Sequence, residues 1–543
     1  MTGGGMAGSR VSADACSDEA LRRQVLATLM PGFAGTVLPE WLRRRLAEGL
    51  GGVCVFGPNI RSLTQLRELT DAIREANPHA LISIDEEGGD VTRLFYDVGS
   101  PYVGHAVLGR LDSLEATTAT ARAVGRALHD AGVNLDFAPD ADINSNPDNP
   151  VIGVRSFGAD TALVARHTAA WVRGLQATGV AASAKHFPGH GDTATDSHRA
   201  LPVVTASAVE LAARELEPFR AAIAAGVRTI MTSHILLPAY DSVNPATLSP
   251  AILQGLLRGH LGFTGLIVSD ALDMAGASAL SGIPEAAVGA IAAGCDLLCV
   301  GTENTDAQLT AIGTAVLAAV AAGRMPASRL ASAAAAVRAL GADLAGESAS
   351  VPALASASAS ASASASASAS ASASAHTPTA NDVVSTFDVS PAATAWLAGG
   401  PVDYLIRFET TPNEAVGDAP WWPWPTAVAA TTATVLVVGD VESGRAAVDV
   451  IGAGTGTGRG RGRGRGRDTA GGTGTGVRLL VVGKANHLTP WVVETIGMLR
   501  ASGTVVVVDM GWPSLDRQFA DIATFGASAA VGGALRALLG DAV

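Results

Sequence analysis

Asp85, Asp140, Asp142, Lys185, His186, His234 and Asp270 each close, or closely follow, a short apolar run. A carboxylate set against a cation and an imidazole can serve as a nucleophile at an electron-poor carbon. The densest group is KHFPGHGDT, residues Lys185–Thr193, followed closely by Asp196-Ser197-His198. Its glycines and Pro188 exclude a helix, so the segment reads as a loop able to hold several polar groups over a pocket. An Asp and a His two residues apart in extended chain can touch. The carboxylate then fixes one ring nitrogen and raises the basicity of the other. Imidazole titrates near neutrality, as a group that both gives and takes a proton must. Two other readings compete. His186, His190, Asp192 and His198 are competent metal ligands, although no helix presents them as in HExxH and Lys185 sets a cation among them. Histidines that cap backbone groups would make the loop purely structural. Proton transfer beside a nucleophile is the preferred reading, with no metal and no cofactor. Asp270 follows the run Gly265–Ser269 and is the candidate nucleophile. Its bland alternative is a helix N-cap, and Asp273 is read as structural.

Such groups need a scaffold that brings them to one end. Eight β-like runs precede residue 345: Gln24–Met30, Gly52–Phe56, Ala80–Asp85, Val133–Phe137, Val180–His186, Val227–Ser233, Gly265–Asp270 and Asp296–Val300. Between them lie amphipathic stretches such as Asp112–Ala131, Thr161–Thr178, Ala206–Ala225 and Pro284–Ala293. Alternating strands and helices, with strands apolar on both faces, predict a parallel sheet. The count of eight favours a closed (β/α)8 TIM-like barrel, whose active groups sit at the C-terminal strand ends. Strands near 402–406, 433–438, 477–482 and 504–509 alternate with helices in a smaller α/β-sandwich domain. The expected division is a tail at 1–18, a barrel at 19–345, an Ala/Ser-rich linker at 346–378 and a second domain at 379–543. Inside the last, a Gly/Arg-rich loop occupies 452–476.

Composition narrows the class. Mean hydropathy is +0.30, yet no window supplies the roughly 18 uncharged apolar residues that a spanning helix needs. Ala311–Gly323 comes nearest and reads as a buried helix. The first 18 residues lack an apolar signal core, and the 4 Cys form no CxxC pair or dense framework, so a cytoplasmic setting is expected. A net charge of −13 opposes nucleic acid as a partner. The Arg-Gly run resembles an RNA-binding tract, but it carries no interleaved aromatic and no GK[ST], and reads as a loop insertion.

Four strings carry a resemblance: IDEEGGDVTR at Ile84–Arg93, NPVIGVRSFG at Asn149–Gly158, KHFPGHGDTATDSH at Lys185–His198, and SDALDM at Ser269–Met274. In this order they resemble bacterial β-N-acetylglucosaminidases of glycoside hydrolase family 3. VDMGWP at Val508–Pro513 and ATFGAS at Ala523–Ser528 are similar, more weakly, to the second domain of the two-domain members. The resemblance implies that Asp270 is the nucleophile forming a covalent glycosyl-enzyme. It makes His198 the general acid/base, supported by Asp196. Asp85, Arg93, Arg155, Lys185 and His186 would bind the N-acetylglucosamine ring.

The implied function is retaining exo-hydrolysis of N-acetylglucosamine-containing saccharides, cell-wall fragments or chitooligosaccharides. A phosphorylase with the same residues is the alternative, because an imidazole repels an incoming phosphate less than a carboxylate does. A catalytically silent sugar-binding protein is a third reading, opposed by the intact Asp196, His198 and Asp270. Glu86 and Asp90 depart from the family pattern, and predict an entrance more acidic than usual.

Overall fold

The computed structural model describes residues 18–197, 200–279, 281–350, 377–424, 433–456, 477–540 and 543. Its first sheet holds eight strands: β1 (Leu29–Pro31), β2 (Gly52–Cys54), β3 (Leu81–Ile84), β4 (Leu135–Asp136), β5 (Ala181–Phe187), β6 (Thr229–Thr232), β7 (Leu266–Ser269) and β8 (Leu297–Gly301). They run in the order β1-β8-β7-β6-β5-β4-β3-β2, with parallel pairing throughout. At the seam between β1 and β2, the Gly51 amide donates to Leu26 O. The expected barrel is present.

Alternation along the strands sorts side chains between two cores. Met30, Leu81, Leu135, Ala181, Leu266, Val268 and Leu297 fill the barrel interior. Ile82, Ile84, Ala182 and Ile267 face the surrounding helices. The period matters at the mouth. Asp85 continues the inward row of Leu81 and Ser83, Lys185 that of Ala181 and Ser183, and Asp270 that of Leu266 and Val268.

Several local expectations need adjusting. The run Gln24–Met30 is not one strand: residues 18–27 are helical, and only Leu29–Pro31 pairs with β8. Leu21 and Val25, four apart, lie on one helix face and pack into the core. The Ala206–Ala225 stretch divides into helices Ala208–Ala213 and Leu216–Ala224. Ala311–Gly323 falls largely within helix Asp306–Ala321, which buries Leu309, Ile312, Val316 and Ala319 on one side only. No helix among the described residues is long and apolar enough to cross a membrane. Helix Ala327–Ser350 takes in the first residues of the expected linker. The Arg228–Glu347 ion pair, at 3.0 Å, ties its end back to the barrel. Likewise helix Val441–Gly456 takes in the start of the expected Gly/Arg loop. The rest of both low-complexity runs lies outside the described residues, as does most of the N-terminal tail.

The second sheet contains β9 (Asp388–Val389), β10 (Tyr404–Phe408), β11 (Thr434–Val438), β12 (Arg478–Gly483), β13 (Thr504–Asp509) and β14 (Ile522–Ala523). Its order is β11-β10-β12-β13-β14-β9, parallel except for β9 against β14. The two short strands β9 and β14 are absent from the sequence reading because two residues show no alternation. Helices cover both faces. Ile451, Val492 and Ile496 pack on Ile406, Leu479 and Val481, while Val531 and Leu535 join Leu405, Leu480 and Val482 in the core that continues into the barrel's helical shell.

Candidate active site

The inward-facing strand tips surround a cavity of about 360 Å³ at the barrel mouth. Its walls include Asp85, Arg93, Arg155, Lys185, His186 and Asp270. Of the residues expected at the site, Asp196 lines the adjoining cleft instead. His198 lies outside the described residues.

At the centre is an ion-pair array that burial makes strong. Lys185 Nζ lies 2.6 Å from Asp85 Oδ1 and 2.8 Å from Glu87 Oε1. Arg155 grips Glu87 with two bonds, Nη2 to Oε1 at 2.8 Å and Nε to Oε2 at 3.0 Å. Side-chain exposure is 2% for Lys185 and Glu87 and 5% for Arg155. Burial works against ionised Glu87, but Arg155 and Lys185 outweigh it and hold its carboxyl well below the usual range. Burial likewise opposes the Lys185 cation, and Asp85 and Glu87 more than restore it, so the ammonium is held charged. Such an array offers fixed donors and acceptors to a polar group in the cavity.

Glu87 was given no role from sequence. A signal existed. It stands two residues beyond Asp85, on the same inward alternation, but β3 ends at Ile84 and the period is not guaranteed past a strand end.

Asp140 and Asp142, fully buried, sit behind this array. His186 Nδ1 is 2.7 Å from Asp142 Oδ2, and the His186 and His190 amides donate to Asp142 Oδ1 at 3.2 and 2.7 Å. Burial disfavours the Asp142 anion, but His186 and His190 hold its carboxyl below the ordinary value. Asp140 moves the other way, raised by burial and by the neighbouring Asp142 charge. Ligating atoms of Asp140, Asp142 and His186 lie within 4.8 Å of one another. Arg155 Nη2, 3.6 Å from Asp140 Oδ2, already supplies positive charge there.

The rest of the Lys185–Thr193 loop is structural in its contacts. Burial pushes His190 down to about 4, and its ring nitrogens each meet a hydroxyl, Ser197 Oγ and Thr193 Oγ1, at 3.0 Å. Asp192 pairs with Arg214, outside the cavity lining. Of the four groups in the metal reading, Asp192 therefore lies away from the cavity, and His198 lies outside the described residues.

Asp270 follows β7. Its Oδ1 accepts the Ala271 amide at 2.8 Å, while its own amide donates to Thr232 Oγ1 at 3.3 Å. His234, at the end of β6, holds Ala271 O through Nε2 at 2.9 Å and so steadies the residue after Asp270. Asp273 accepts the Thr302 amide at 3.0 Å and also lines the cavity.

Glu86 corrects the expectation of an acidic entrance, since it lines neither the barrel-mouth cavity nor the adjoining cleft, whereas Asp90 does line the cleft. Glu86 is fully buried, and its Oε2 accepts from Thr92 Oγ1, the Arg93 amide and the Leu94 amide at 2.8, 2.9 and 3.0 Å. Asp90 accepts the Ala527 amide of the second domain at 2.6 Å. Burial raises the Glu86 carboxyl to about 7. Between its ordinary value of 4.5 and that point the folded chain holds more protons than the unfolded one, so stability falls as pH rises through this window. Glu86→Gln is therefore expected to stabilise the protein above pH 7, by up to about 3 kcal/mol, and to give no gain near pH 4. Thermal melts of both proteins across pH 4–8 check this. A constant difference would show that Glu86 titrates normally.

Arg93 lines the cavity, yet its guanidinium donates to Ala415 O at 2.6 Å and Val416 O at 3.3 Å, both from the second domain. No sequence pattern connects residues over three hundred positions apart.

The parallel barrel thus carries, at its C-terminal rim, a strand-tip carboxylate and a buried charge array around one cavity. Residues 36–340 match the Glycosyl hydrolase family 3 N terminal domain, and the chain belongs to that family. A beta-hexosaminidase of Stenotrophomonas maltophilia (strain R551-3) is 38% identical over 283 residues, which cover 50% of this chain and 82% of that protein. Beta-hexosaminidase A of Pseudoalteromonas piscicida is 37% identical over 286 residues. That match covers 49% of this chain, which spans about half (48%) of the relative's length. Among solved structures, a glycoside hydrolase family 3 β-N-acetylglucosaminidase from Paenibacillus sp. str. FPU-7 superposes with a TM-score of 0.77 at 29% identity, covering 96% of both chains.

Proposed function

We propose that this protein is a retaining exo-β-N-acetylglucosaminidase that removes terminal N-acetylglucosamine from chitooligosaccharides or cell-wall fragments. One observation carries the reading: Asp270 shares a cavity suited to a single sugar ring with Asp85, Arg155, Lys185 and His186. The names of the relatives support the same sugar. In the first step the Asp270 carboxylate attacks the anomeric carbon, and a C–O bond forms as the glycosidic C–O bond breaks. His198, supported by Asp196, gives its proton to the departing oxygen. Water then attacks the glycosyl-enzyme, His198 takes its proton, and Asp270 leaves, so configuration is retained. Asp85 and Lys185 hold ring hydroxyls, and Arg155 and His186 back them.

Hydrolysis of an aryl β-N-acetylglucosaminide with and without inorganic phosphate tests this. Free N-acetylglucosamine at a phosphate-independent rate is the expected product. Accumulation of the 1-phosphate would identify a phosphorylase, and no turnover at all would leave the silent sugar-binding reading. The cytoplasmic setting is proposed with this function, and fractionation of the producing cells tests it.

A further inference from the structure

Below the cavity, the barrel interior ends in a layer of side chains drawn from every second strand, as closed parallel packing requires. Cys54 comes from β2, Phe137 follows β4, Met231 lies in β6 and Cys299 in β8. All four fill the interior and line the cavity. Asp85, Lys185 and Asp270, from odd-numbered strands, line the same cavity. Two thiols thus lie in its floor, and the hydrolytic steps use neither.

Both cysteines are free. They are 1% and 3% exposed, and their thiols hydrogen-bond each other. That bond, together with burial, pushes the Cys299 thiol well above its ordinary range, so it stays protonated at neutral pH. A buried, protonated thiol is a poor nucleophile toward oxidants and alkylating agents. The barrel itself also closes off a disulfide. β1 lies between β8 and β2. Two strand spacings around the curved wall set the Cα atoms about 9 Å apart, beyond the roughly 7 Å that a disulfide spans. What the pair can hold is one thiophilic atom between its sulfurs. Among the described residues, only Asp140, Asp142 and His186 bring three metal-ligating atoms together, so no carboxylate or imidazole completes a metal site at the thiols. Zinc, which takes three or four protein ligands, is poorly served there. Trivalent arsenic asks for the two sulfurs alone, since it brings its own third ligand.

We propose that Cys54 and Cys299 form a dithiol site for trivalent arsenic, and that arsenite bound there closes the cavity from below. Arsenous acid is small and neutral, and fits a cavity of about 360 Å³ with room to spare. Two As–O bonds break and two As–S bonds form. Each thiol proton leaves with a hydroxyl as water, arsenic keeps its third hydroxyl, and no electron changes hands. The bound As–OH group then stands on the floor, in the space beneath Asp85 and Asp270.

The test incubates the full chain with sodium arsenite, desalts it and measures retained arsenic by elemental analysis. A single arsenic per chain is expected, removable by dithiothreitol. Cys54→Ser and Cys299→Ser, each left with one point of attachment, are expected to bind at least about a hundredfold more weakly. Cys16→Ser and Cys295→Ser are expected to bind like wild type. Cys295 packs in the helical shell, its Sγ donating to Thr247 O at 3.8 Å. Thermal melts check that each variant folds, and alanine replaces serine where it does not. No arsenic on the wild type, or undiminished binding by the Cys54 and Cys299 variants, overturns the proposal. In a second arm, arsenite is expected to raise KM for an aryl β-N-acetylglucosaminide in wild type. Neither variant should respond, each compared with its own arsenite-free rate. This arm alone rests on the exo-N-acetylglucosaminidase reading. Arsenic bound without loss of activity overturns the closure of the cavity. Protein inactive before arsenite is added sinks the functional reading instead, and the binding arm still decides the dithiol site.

Discussion

Asp270→Asn is expected to lower kcat/KM on an aryl β-N-acetylglucosaminide at least about a thousandfold, while the melting temperature stays within a few degrees of wild type. The two side chains are nearly isosteric. An amide oxygen can still accept the Ala271 amide that Asp270 Oδ1 accepts at 2.8 Å, so the local backbone has no reason to move. What the amide lacks is the electron pair of an anion able to attack the anomeric carbon. The smaller Asp270→Ala variant adds a chemical check. With azide present, it should form glycosyl azide of inverted configuration, because the anion enters from the face that the carboxylate has vacated. Rates near wild type for Asp270→Asn would mean that another nucleophile, such as the substrate's own acetamido oxygen, does the work.

Glu87→Gln is expected to be the most destabilising single change at the site, by about 3–5 kcal/mol at neutral pH. Its carboxylate is shared by two buried cations, Lys185 and Arg155. Neutralising it leaves the two buried cations close together, with Asp85 as the carboxylate still paired with Lys185. The sign of the pH dependence follows from the direction of the shift. Glu87 is held below its ordinary 4.5 when folded, so its contribution is present above that value and lost as pH falls through the lower folded value. The difference between wild type and variant in urea unfolding should therefore shrink on acidification below about pH 4.5. A pH-independent difference would place the loss in packing instead of charge. Activity should fall as well, because Lys185 loses one of the two carboxylates that hold it in place.

These two residues separate what was legible from what was not. Asp270 could be read from sequence because its signals are local: an apolar run of period two, a polar residue at its end, and a repeating helical stretch after it. Physics requires little more, since a strand buried on both faces must be apolar and its tip is the first place where charge can sit. The eight repeats of that unit made the barrel legible, and Asp85, Lys185 and His186 with it. Glu87 lay within a quoted motif but past the strand end, where alternation no longer says which way a side chain points. Glu86, its neighbour, was expected at the entrance and is instead buried, bound by the Thr92 hydroxyl and the Arg93 and Leu94 amides.

By itself, then, the sequence determined the barrel, the charged strand tips and the family, because each depends on short-range periodicity or on contiguous motifs. Only the tertiary structure decided which charges pair, that Asp196 faces the neighbouring cleft, and that Arg93 grips the second domain. It also decided that Glu414 stands at the mouth of a barrel whose last strand ends more than a hundred residues earlier. Pairings of that kind are selected by burial and Coulomb energy between segments that meet only once the chain is packed, and no local pattern in the chain encodes them.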